Sequence, residues 1–121
     1  MSEATPLDPS FDVRLYEFTG VVNADASPAY ISVPTRSEVT IQIMSIDSGT
    51  PTITAQISLN LDADSSKVWD AATGVKAPAS DIALTAAGQA ETVLQVGNLI
   101  RPLVSAGTGE ATVRILANRV R

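Results

Sequence analysis

Apolar and polar residues alternate with a period of two along three long runs of the chain. In EVTIQIMSI, Val39, Ile41 and Ile43 fall on one face and Thr40, Gln42 and Met44 on the other. In TITAQISLNL, Ile53, Ala55, Ile57, Leu59 and Leu61 oppose Thr52, Thr54, Gln56 and Ser58. In EATVRILANRV, Ala111, Val113, Ile115 and Ala117 oppose Thr112, Arg114 and Leu116. One apolar and one wet face is the pattern of half-buried strands in antiparallel sheets, and the β-branched residues suit a pleated surface. Turn residues punctuate the runs at Asn23-Ala24-Asp25, Asp47-Ser48-Gly49, Ala87-Gly88, Gly97-Asn98 and Gly107-Thr108-Gly109. The pattern predicts strands near 12–22, 28–33, 37–47, 51–61, 66–70, 81–86, 90–96, 99–104 and 110–120. No stretch carries a 3.6-residue period, and the alanine-rich segment 71–79 is broken by Gly74 and Pro78.

The fold class this implies is all-β: an antiparallel β-sandwich, jelly-roll or immunoglobulin-like, since both are runs of short alternating strands. Residues 13–121 are expected to form a single domain of ordinary size. Residues 1–12 are polar and contain Pro6 and Pro9; they read as an extended N-terminal arm, disordered or laid on a neighbour. The predicted core holds Ile41, Ile43, Ile57, Leu59, Leu84, Val113 and Ile115.

Composition narrows the chemistry. Apolar residues make up 45% of the 121, with only five aromatics, so the core is aliphatic. The formal charge of −5 argues against nucleic acid as a partner, because affinity for duplexes comes mainly from neutralising phosphates. Residues 1–70 hold ten acids and three bases; residues 71–121 hold three acids and five bases, including Arg114, Arg119 and Arg121. This asymmetry fits a solvated surface or a complementary contact with copies of the chain or an acidic partner. Without cysteine, stability does not rest on disulfides. The start MSEATPLDPSFDV lacks the basic and apolar stretches of a secretory signal, and no segment has the ~20 apolar residues of a membrane helix; the expectation is synthesis in the cytoplasm and no membrane partner.

An enzyme is not expected. There is no histidine, the commonest general base and metal ligand. A nucleophile needs an adjacent base, and the only candidates are carboxylates, Lys67 and Lys76. Gly107-Thr108-Gly109 is too short for a phosphate loop and lies between predicted strands. Asp62 and Asp64 lie near one turn rather than across a cleft. The stretch LDADSSKVWD has three other readings. As a calcium loop beginning at Asp62 it places Lys67 and Thr73 where glycine and glutamate belong. As a sugar site it offers Trp69 for stacking with Asp62 or Asp70 beside it. As a plain turn it uses Asp and Ser to bond the backbone, with Trp69 capping the core. No cofactor is expected.

ITAQISLN, the acidic turn, KVWDAATG, DIALTAAGQAE and LIRPLVSAGTGEATVRI together resemble the small β-sandwich structural proteins of tailed-phage virions. In those a strand runs into a D…W turn, followed later by a hairpin of the form iRp.Vs.gtg.A.v.i. The resemblance spans about Val39 to Ile115; where that turn usually carries glycine, this chain has DADSS. Within the group it leans to capsid decoration, or cement, proteins. It implies a location on the capsid surface of the virion, the major capsid protein as partner, and a homo-oligomer, dimer or trimer. A tail or head-fibre component and a carbohydrate-binding module are the alternatives. Interface candidates are Pro6, Pro9 and Phe11 in the arm; the aromatic anchors Tyr16, Phe18 and Tyr30; and Arg101, Arg119 and Arg121. The shared parity of Tyr16 and Phe18 equally suits core packing, and Arg101 equally suits a buried strand-edge ion pair.

Overall fold

A computed structural model describes residues 2–9, 13–23, 25, 28–33, 37–58, 70–71, 81–93 and 99–119. Among them there is no helix. The nine strands are β1 (Glu3–Pro9), β2 (Val13–Val22), β3 (Ile31–Ser32), β4 (Ser37–Gly49), β5 (Thr52–Ser58), β6 (Asp70–Ala71), β7 (Ala90–Val93), β8 (Leu99–Ala106) and β9 (Gly109–Arg119). They form two antiparallel sheets, ordered β1-β2-β9-β4-β7 and β3-β8-β5-β6. One apolar cluster joins both: Phe18, Val39, Ile41, Ile43, Val113 and Ile115 from the first sheet, Ile53, Ala55, Ile100 and Val104 from the second.

The five-stranded sheet follows the alternation. Ile41 pairs with Ile115 and Ile43 with Val113, so the odd residues of both strands share the buried face. Bulges then reset the parity. One falls between Ile43 and Ser45, which turns Ile46 back to the core side opposite Ala111; another, between Phe18 and Val21, returns Val21 to the same side. Simple alternation would have sent Ile46 and Val21 outward.

The four-stranded sheet departs from expectation. Thr54 and Ser58 were to face water, yet they are 4% and 3% exposed, and Leu99 through Pro102 are buried without a break. Both faces of β5 and β8 are covered, and small hydroxyls tolerate this because they can bond nearby carbonyls, as Thr54 Oγ1 does to Ala55 O at 3.4 Å. Of the predicted core, Ile41, Ile43, Leu84, Val113 and Ile115 are buried. Ile57 is only half-buried; Leu59 lies outside the described residues. Segment 81–86 is not a continuous strand: Asp81 and Leu84 are isolated bridge residues, and Leu84 exchanges bonds of 2.8 and 2.9 Å with Ile53.

Where the sequence suggested an arm that is disordered or laid on a neighbour, Glu3–Pro9 is the edge strand of this chain's own sheet, paired with β2. Ser2 fastens it: its N–H donates to Asp25 Oδ2 at 2.8 Å and its hydroxyl accepts from Ala29 N at 2.7 Å.

The chain crosses between sheets twice at one corner, through β4–β5 and β8–β9. Gly49 pairs with Gly109 there, and Thr50 N donates to Thr108 O at 2.9 Å. Gly109 has φ +125°, and a Cβ on it would stand 2.0 Å from Ser48 O, so only glycine fits.

Candidate functional site

The outer face of the five-stranded sheet uses its polar side chains to tie strands together. Arg114 on β9 donates through Nε to Glu17 Oε2 on β2 at 2.8 Å. Gln42 on β4 donates to Gly88 O at 3.0 Å. Asp47 accepts from Ser45 Oγ at 2.8 Å and from Thr112 Oγ1 at 2.9 Å. The partly exposed ion pair is worth at most about 1 kcal/mol; its role is register rather than affinity.

Arg101 on β8 is 9% exposed and donates through Nε to Gln56 Oε1 at 2.9 Å across the β5–β8 ladder. Burial pulls its pKa below the ordinary value, and the nearby Asp25 carboxylate pushes it back up; an arginine remains cationic at neutral pH. Asp25 thus faces both Arg101 and the N-terminal tie at Ser2.

At the opposite border, the strap 81–89 runs from β5 to β7. Its turn is closed by Gln89 Oε1, which accepts from Thr85 N at 2.7 Å and Ala86 N at 3.2 Å, and by Gly88 N donating to Ile43 O at 2.8 Å. A groove of about 420 Å³ lies along it, lined by Ala83, Leu84 and residues 88–91. Glu91 pairs in register with Ile41, which turns it toward the core side of the sheet. Its Oε1 is buried and receives no hydrogen bond. An unmet buried acceptor costs roughly 1–3 kcal/mol, and among the described residues Glu91 is the side chain whose placement the fold itself does not repay.

The residues singled out from the sequence are scattered. Pro6 is exposed on β1, and Pro9 ends that strand opposite Arg14. Tyr16 and Tyr30 are half-buried, and Tyr16 packs on the core. Phe18 is fully buried and takes the core alternative rather than an interface. Arg101 is buried, with its Nε on neutral Gln56. Arg119 pairs through its backbone with Ser37, and Asp70 with Ile57. Phe11, Asp62, Asp64, Trp69 and Arg121 lie outside the described residues. Glu91 was missed, although AETV places it two residues from Val93 and so on the same face.

Among the described residues, no three acidic or other metal-ligating side chains converge, and no helix is long and apolar enough to cross a membrane. Comparison with family models, curated proteins and solved structures finds no match to this chain.

Proposed function

We propose that the two sheets form a jelly roll, and that the chain is a non-enzymatic structural protein of a tailed-phage virion: a decoration protein that binds the shell of major capsid protein as a small symmetric oligomer and stabilises it. The strand order carries this reading. With β1 set aside as an added edge, β2–β9 fall in the orders β2-β9-β4-β7 and β3-β8-β5-β6. Each sheet interleaves early and late strands, as two Greek keys wound together do. An immunoglobulin-like sandwich orders its strands ABED and CFG instead. Jelly rolls serve viral capsid and lectin domains, so fold-level analogy and the sequence resemblance point the same way. The use of polar side chains as cross-strand ties supports a scaffold rather than a catalyst.

The test is sedimentation of purified protein with shells that lack it, followed by heating. The expected result is saturable binding that raises the temperature of genome release. No binding, with stable rings or trimers in free solution, would move the assignment to a tail or fibre component. The jelly-roll order is shared with lectins, so a glycan-dependent change in Trp69 fluorescence would move it to a carbohydrate-binding module.

A further inference from the structure

We infer that β7 is a docking edge for an extended segment of a partner protein, and that this segment places a lysine or arginine opposite Glu91. Three observations meet at this border. The first is the open backbone. Ile43 donates to Gln89 O at 3.0 Å, and ladder bonds of an antiparallel pair recur at every second residue. The pairs Ile41–Glu91 and Val39–Val93 therefore exchange the β4–β7 bonds, and Ala90 and Thr92 turn their N–H and C=O groups outward. No described residue pairs with that side. The second is the buried Glu91 Oε1, which lacks a donor. The third is the groove beside it.

A strand laid on β7 continues the sheet by main-chain bonds, the mode in which alternate side chains give specificity. Its residue facing Glu91 sits on the same face, with Cβ atoms about 4.5–5.5 Å apart, and reaches the groove. A cation there donates a charge-assisted bond to the carboxylate. A second copy's β7 is excluded as the occupant, because two-fold pairing brings two Glu91 carboxylates opposite or diagonal to each other, and like charges so placed repel. The proposal deepens the structural-subunit reading by naming the surface such a subunit would use.

The test is selection of a displayed library of random short peptides on the immobilised full chain. The enriched peptides are expected to be rich in β-branched residues with Lys or Arg at one fixed position. Glu91→Gln should weaken their binding about tenfold or more. Glu91→Lys, which keeps the backbone edge, should select Asp or Glu at that position instead. Thr92→Pro, which removes an outward donor, should abolish capture in protein that still melts cooperatively. No enrichment, no fixed cation, or indifference to Glu91→Lys would overturn the inference. Cationic peptides captured by a protein that ignores shells would keep the β7 edge and sink decoration; shell binding that survives Glu91→Lys and Thr92→Pro would do the reverse.

Discussion

β1 and β7 border the same five-stranded sheet. β1 carries Pro6, which has no N–H to offer, and a bulge that leaves Leu7 unpaired and 44% exposed. Its start is fastened through Ser2 to Asp25 and Ala29. β7 has no proline, and Glu91 in its middle has a buried oxygen without a donor. Proline and bulges are how sheets blunt an edge against unwanted pairing. The difference teaches that β1 is tied back within the chain, while among the described residues nothing pairs with the outer side of β7, the edge inferred to take a partner strand.

Four sets of substitutions test this contrast, from the largest expected effect to the smallest. Phe18→Ala, on the strand that β1 covers, should cost about 3–5 kcal/mol in denaturant unfolding; a loss under 1 kcal/mol would show that the β1 side is not packed as described. Gly109→Ala at the crossing corner should cost roughly 3 kcal/mol or more, because it adds both strain and a clash with Ser48 O. Gly88→Ala, in the turn that launches β7, meets nothing within 4 Å. It should cost only the left-handed penalty of about 1–2 kcal/mol, and equal losses at the two glycines would erase the distinction. Ser2→Ala should cost about 1 kcal/mol by leaving Ala29 N–H without its acceptor. Glu91→Leu should be neutral or raise stability by about 1 kcal/mol, since it removes an unmet buried acceptor. A clear loss there would mean that the carboxylate already serves the isolated fold.

The long strands were legible because a half-buried strand writes its period into the sequence: 37–47 and 110–120 were expected, and Ser37–Gly49 and Gly109–Arg119 are found. β1 was not, since EATPLDP has no alternation and with its prolines read as an extended arm, although at an edge an outward proline costs no ladder bond. The covered outer face of β5 and β8 escaped because Thr54 and Ser58 look like wet-face residues, and only tertiary cover decides otherwise. For the same reason Glu91 resembled any surface acid. Its parity with Val93 was visible; its missing donor was not.

The most direct measurement is sedimentation of shells lacking the protein with wild type and with Thr92→Pro, side by side. Saturable binding by the wild type, and its loss in a Thr92→Pro variant that still folds, is the predicted result. Absence of wild-type binding would contradict the decoration reading, and equal binding by both proteins would contradict the assignment of β7 as the edge that docks.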